Sequence, residues 1–226
     1  GTTGENSVLN GDVTPGTLGQ DVDPDSDTLT VTAVNGLGTN VGTGVSGSNG
    51  GTFTIQSTGS YSFDPGTAFD DLAVGESRTT AVTYTISDGE GGTNTATVTI
   101  TVTGVNDAPT STVLTNLVND DADVVTLDVS SSFSDPDTTD TITFTATGLP
   151  PGLSIDANGV ITGTIGHSAS VTGPYTATVL GTDPTGATTE QTFDWVVYNP
   201  APIAVNDSGT TGENSVLNGD VTPGTL

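Results

Sequence analysis

The chain has 226 residues, 31% of them hydrophobic, and carries one Lys or Arg against 27 Asp or Glu, for a formal net charge of −26. One cation cannot build a face that releases counterions from a phosphate backbone, so nucleic acid is excluded as a partner, and an anionic membrane surface is disfavoured for the same reason. Cys and Met are absent, which removes disulfides and thiolate metal sites and leaves hard oxygen ligands as the available brace.

The apolar residues are mainly Val, Ile, Phe and Leu set among Thr, the composition of a pleated surface. In chain order the alternating runs are Leu29–Val34, Thr52–Ile55, Ser60–Phe63, Thr80–Ser87 and Thr95–Thr103, then Val124–Val129, Thr141–Thr147, Val160–Gly163, Tyr175–Gly181 and Gln191–Tyr198. Asn35-Gly36, Asn49-Gly50-Gly51, Asp88-Gly89, Pro151-Gly152 and Asn158-Gly159 separate them with the positive-φ residues of tight turns. Nothing reads as an amphipathic helix longer than a turn or two. The fold expected is all-β, two tandem Ig-like or cadherin-like β-sandwiches over residues 1–107 and 108–207. No signal peptide and no apolar run of about 18 residues stands out, so the sequence reads as an interior piece of a larger protein that inserts no segment into a membrane.

Residues 209–226 repeat Gly1–Leu18 letter for letter, GTTGENSVLNGDVTPGTL. Identity that complete points to tandem duplication of a two-domain unit of 208 residues. Residues 208–226 are then the truncated start of the next repeat, expected to be disordered, with strand exchange onto another copy's first domain as the alternative. Asn106-Asp107-Ala108-Pro109 and Asn206-Asp207, the latter just after Pro200-Ala201-Pro202, follow long alternating strands and read as linkers.

Catalytic motifs are weak throughout. Gly42-Thr43-Gly44-Val45-Ser46-Gly47 spells GxGxxG without a following helix to present amides to a phosphate. Asp207-Ser208-Gly209 spells an aspartic-protease triplet in a linker, without a partner lobe. The single His, His167, lies in a polar loop without a nucleophile elbow. Trp195 alternates with Phe193 and Val197 and reads as core. The chain is therefore expected not to be an enzyme.

Four separated motifs of the first half carry a resemblance: Asp21-Val22-Asp23-Pro24-Asp25-Ser26-Asp27, Gly59-Ser60-Tyr61-Ser62-Phe63, Phe69-Asp70-Asp71-Leu72-Ala73-Val74-Gly75-Glu76 and Tyr84-Thr85-Ile86-Ser87-Asp88-Gly89-Glu90, closed by Gly104-Val105-Asn106-Asp107-Ala108-Pro109. Together they resemble the VCBS and cadherin-like repeats of bacterial surface proteins. Gly148-Leu149-Pro150-Pro151-Gly152-Leu153-Ser154-Ile155-Asp156 and Gly159-Val160-Ile161-Thr162-Gly163-Thr164 make the second half similar to Ig-type, dystroglycan-type cadherin-like domains. Such domains occur in giant RTX adhesins exported by type I secretion, mostly as extenders.

The resemblance implies calcium where sandwiches meet, held by carboxylates from the linker and from loops of both neighbours. For the first junction the expected ligands are Asn106 and Asp107, Asp135 and Asp137, and Asp183, with Asp71 or Glu76 and also Glu5 from the upstream domain. Asp23, Asp25 and Asp88 are the matching acids of the first domain, while Asn206, Asp207 and Glu213 begin a second junction. Gly104 departs from the cadherin pattern DxNDxxP, in which an Asp occupies its place. The function this implies is a calcium-stiffened, monomeric, extracellular spacer on the bacterial cell surface that contacts adjacent repeats and projects a distal adhesive domain for attachment or biofilm formation. The competing reading, that the domains themselves bind a glycan, ice or copies on neighbouring cells, requires an exposed aromatic cluster or a flat Thr array.

Overall fold

The computed structural model describes residues 1–13, 21–206, 208–213, 215, 216, 218 and 219. The first domain contains β1 (Thr2–Gly4), β2 (Leu9–Asp12), β3 (Thr30–Val34), β4 (Gly44–Ser46), β5 (Thr52–Ile55), β6 (Ser60–Asp64), β7 (Ser77–Ser87) and β8 (Thr93–Thr103). These form two sheets, ordered β1-β8-β7-β3 and β2-β6-β5-β4. All pairings in them are antiparallel except that of β1, which lies parallel to β8 with Gly4 opposite Thr103.

Strand period decides which side chains meet. Along β7 and β8 the inward residues are Thr80, Val82, Tyr84 and Ile86 against Val98, Ile100 and Val102, while the intervening Thr residues face outward. Phe53, Ile55 and Phe63 close over them from the other sheet, with the Phe53 and Phe63 rings 4.6 Å apart. Each such side chain removed from water contributes about 1.5–3 kcal/mol.

The second domain contains β9 (Thr110–Ser111), β10 (Leu117–Asp120), β11 (Val124–Asp128), β12 (Phe133–Ser134), β13 (Thr143–Thr147), β14 (Leu153–Ile155), β15 (Val160–Thr164), β16 (Tyr175–Thr182) and β17 (Thr188–Tyr198). A β10-β17-β16-β13 sheet faces a β11-β15-β14 sheet, and β12 pairs with β9. Again the early strand is parallel to the last, with Asp120 of β10 opposite Tyr198 of β17. Trp195 is fully buried among Phe133, Phe144, Ile161, Val179 and Phe193, and its indole N–H donates to Asn119 Oδ1 at 3.0 Å. The two cores share no residue.

The alternating runs read from the sequence are strands here, with ends moved by a few residues. β1, β2, β4, β9, β10, β12 and β14 are too short or too rich in Gly and Asn to show a period. Their pairing comes from the neighbouring strand. Helical structure among the described residues is limited to three-residue 3₁₀ turns.

A candidate metal centre at the domain junction

Glu5 follows β1 directly. Its N–H donates to Thr103 O at 3.0 Å, extending the parallel pairing by one residue and fixing the side chain at the base of the first domain. There Glu5 is 1% exposed. Oε1 accepts the Val105 N–H at 2.7 Å, and Oε2 is buried without a partner. Burial pushes the Glu5 carboxyl above its ordinary value; the Val105 hydrogen bond opposes this, and the charges of Asp107, Asp137 and Asp70 add to it.

The linker runs between the two domains. Asn106 donates through Nδ2 to Asp183 Oδ2 at 2.9 Å while its Oδ1 is buried and unpartnered. The Asp107 N–H donates to Asp137 Oδ2 at 3.0 Å. Asp137 is completely buried and its Oδ1 has no partner. Its N–H donates to Asp135 Oδ1 at 3.0 Å, an Asx turn across Pro136, and Asp135 Oδ2 is likewise unpartnered. Asp183, 4% exposed, accepts on Oδ1 the N–H groups of Thr185, Gly186 and Ala187 at 2.8, 2.7 and 2.9 Å. Burial works against its charge, but these bonds and that from Asn106 more than offset it and hold its carboxyl below the usual range.

Among the described residues, the buried side-chain oxygens that lack a hydrogen-bond partner are those of Glu5, Asn106, Asp135 and Asp137, all at this junction. A buried acceptor without a donor costs about 1–3 kcal/mol, more when charged. Asp107, Asp135 and Asp140 are all pushed up, by burial first and then by neighbouring carboxylates. Asp135, Asp140 and Asp183 each bring a carboxylate oxygen within 4.8 Å of the others. Hard oxygens converging without cationic side chains suit a divalent ion that prefers oxygen, and these residues fit calcium.

The other upstream acids differ in their engagements. Asp71 forms a bidentate ion pair with Arg78, which holds its carboxyl low, and its carbonyl accepts the Thr138 N–H and Oγ1–H of the second domain at 3.4 and 3.3 Å. Its neighbour Asp70 is the residue whose charge bears on Glu5 and Asp107. Glu76 accepts the Ala73 N–H at 3.2 Å. Asp70 and Asp140 were not singled out by the sequence reading. The solitary Arg seven residues after Asp71 was the one available hint that Asp71 would be taken.

Gly104 has a steric reason. A Cβ there would collide with the carbonyl oxygens of Leu72 and Ala73, and the Gly104 N–H donates to Glu76 O at 3.1 Å. The backbone passes too close for the Asp of the cadherin pattern.

The first domain presents a matching acid set at its far end. Asp23, Asp25 and Asp27 approach within 4.8 Å, and Asp88 Oδ1 accepts the Glu90 and Gly92 N–H groups as Asp183 does those of Thr185 and Ala187. A side-chain hydrogen bond between Asp23 and Asp25 lowers the first and raises the second. Asn206 and Glu213 are exposed, and Asp207 lies outside the described residues.

Residues 1–104 match the family of the bacterial cadherin-like domain, and residues 108–198 match the family described as "Putative Ig domain". The chain is a cadherin-like and an Ig-like domain in tandem. Among solved structures it is similar to mouse cadherin-23 EC22-24 (17% identity, TM-score 0.51, covering 79% of this chain and 57% of that one). It is also similar to human mucin-like protocadherin EC1-2 (16%, 0.56, 88% and 95%) and human CDH23 EC21-23 (17%, 0.55, 87% and 66%). The chain thus spans 57% of the length of the cadherin-23 fragment. Comparison with curated protein sequences finds no match. Tandem cadherin-like and Ig-like domains fit an extracellular adhesion or extender role and are generally not enzymes. Cadherin-like domains generally bind calcium at interdomain linkers, and no helix among the described residues is long and apolar enough to cross a membrane.

Proposed function

We propose that the chain is an extender of a repetitive bacterial cell-surface adhesin, stiffened by calcium at the junction between its two domains. The array projects a distal adhesive domain for surface attachment or biofilm formation, and the type I secreted RTX adhesins are the class it suits. The observation that carries this reading is the set of buried, unpartnered oxygens of Glu5, Asn106, Asp135 and Asp137 at one joint.

Glu5 and Asp70 would reach the ion from the upstream domain, Asn106 and Asp107 from the linker, and Asp135, Asp137, Asp140 and Asp183 from the downstream domain. Bound calcium supplies charge neutralisation and a shared coordination sphere. The protein's own groups do the rest. Glu5 is anchored by the Thr103 and Val105 backbone, Asp183 by three consecutive amides, and Asp137 by the linker amide of Asp107, so the donors are aimed before any ion arrives. Without neutralisation the same carboxylates repel across the joint and free the hinge.

Binding of a glycan or ice by the domains themselves finds less support. Phe53, Phe63, Phe69, Phe133, Phe144, Phe193 and Trp195 are all buried in the two cores. The Thr pairs of β7 and β8, such as Thr83 opposite Thr97, are what a solvated strand face ordinarily holds.

Thermal unfolding in chelator and again in about 10 mM calcium tests the reading. With dissociation constants of about 10⁻⁴ to 10⁻³ M, each site adds about 1.4 to 2.7 kcal/mol, which raises the melting temperature by several degrees. An unchanged melt, or one matched by sodium at equal ionic strength, would remove calcium from the account.

A further inference from the structure

The single Lys or Arg of the chain, Arg78, stands on β7 opposite Val102 of β8. Strand period puts it on the core-facing row with Thr80, Val82 and Tyr84, at the rim of the sandwich. A guanidinium on that row is costly unless its donors are met, and the groups that meet it come from one turn. Nη1 donates to Ala68 O at 3.4 Å and to Asp71 Oδ1 at 3.0 Å, Nη2 donates to Asp71 Oδ2, and Cζ lies 5.8 Å from the centroid of the Phe69 ring. Phe69 is fully buried and packs edge-on against Phe63, with ring centroids 6.3 Å apart. Arg78 therefore holds the turn from Ala68 to Asp71 at both ends and over its Phe. The residue left between, Asp70, is one whose charge is felt by Glu5 and Asp107 at the joint.

The same turn reaches the second domain. Asp71 O accepts the N–H and the Oγ1–H of Thr138 at 3.4 and 3.3 Å. Thr138 lies in the turn that the Asp140 N–H closes on Asp137 O at 3.0 Å. The turn clipped by Arg78 is thus docked on the segment that carries two acids of the downstream set.

We infer that Arg78 is a positioning residue for the junction: by clipping the turn from Ala68 to Asp71 it holds Asp70, and through the Asp71 carbonyl the turn from Asp137 to Asp140, where one cation can be shared between the domains. The inference rests on the reading of the junction as a calcium site. Charge and position make opposite demands on Arg78. By charge alone a guanidinium weakens the binding of a nearby dication, and its loss, which also leaves Asp71 uncompensated, strengthens that binding. By position its loss frees the turn, so the upstream acid must be ordered when the ion arrives and binding weakens. Lys keeps the charge but lacks the planar fork that serves both Asp71 oxygens while lying over Phe69.

The test is a calcium titration of the whole chain followed by the amide resonances of Val105, Asn106 and Asp107, with melting in chelator as a separate measure of folding. Arg78→Gln is expected to weaken calcium binding by about tenfold, with Arg78→Lys between it and the parent. In an Asp70→Asn background the further loss caused by Arg78→Gln is expected to shrink to about twofold, because the residue through which Arg78 acts has already been altered. Binding that is unchanged or tighter in Arg78→Gln, or an equal loss with and without the Asp70 carboxylate, overturns the positioning role and leaves the calcium reading standing. A parent whose linker resonances do not move with calcium overturns both. Should Arg78→Gln fail to fold in chelator, Arg78→Lys with and without Asp70→Asn supplies the same comparison.

Discussion

Asp137 is the residue on which the junction's electrostatics turn, because it is wholly buried, hydrogen-bonded on one oxygen and orphaned on the other. Asp137→Asn removes one of several mutually repelling charges while keeping the shape. In chelator it is expected to melt at or above the parent; in calcium the rise on metal addition should fall by more than half, and an unaltered calcium response would exclude Asp137 from the site. Acid follows from the same crowding. Glu5, Asp107, Asp135 and Asp140 bind their protons more tightly folded than an isolated carboxyl does, so protonation favours the native state. In chelator, stability should climb as pH falls from 7 through the raised values toward the ordinary 4.5 of Glu and 3.8 of Asp. Asp71 and Asp183, held low, lose their contributions only as pH falls below that ordinary Asp value. A melting temperature in chelator lower at pH 5 than at pH 7 would contradict this. Calcium reverses the trend, since proton and ion compete for the same oxygens.

Elements were unevenly legible in the sequence. β7, β8, β16 and β17 announce themselves by alternation, because one face of each is core and the other water. β1 does not, being three residues long, yet it places Glu5. Glu5 was therefore reachable only through the resemblance to cadherin repeats, and Asp70 could not be told from Asp71 until Arg78 was seen to take the latter. Gly104 shows the same limit from the other side. In the sequence it reads as a lost ligand, whereas in the fold it is where β8 leaves its sheet against the carbonyls of Leu72 and Ala73. Gly104→Ala should destabilise by about 1–3 kcal/mol through overpacking, and Gly104→Asp should lose calcium response instead of regaining a ligand. Melting curves of both variants, with and without calcium, check this, and a stronger response in Gly104→Asp would refute the steric account.

At the scale of the whole chain, two cores that share no side chain are joined by acids, by the Asn106–Asp183 and Asp107–Asp137 hydrogen bonds and by the Thr138–Asp71 contact. Calorimetry in chelator should resolve two transitions, one per domain, which move up and toward each other in calcium. A single transition in chelator would show coupling that does not need the ion. The eighteen letters shared by Gly1–Leu18 and residues 209–226 separate what is local from what is not. In both places the same turn forms: Thr3 Oγ1 donates to Ser7 O at 2.8 Å and Ser7 N–H to Gly4 O at 3.1 Å, and Thr211 Oγ1 to Ser215 O at 2.9 Å and Ser215 N–H to Gly212 O at 3.1 Å. The first copy pairs with β8 and buries its Glu, whereas among the described residues of the second copy Glu213 is exposed. Sequence by itself determined the all-β class, the long strands, the acidity and this turn, since each depends on residues a few positions apart. Which carboxylates are buried, which are already taken by Arg78 and which are left facing one another was decided by tertiary structure, because the groups that meet lie as many as 100 residues apart along the chain.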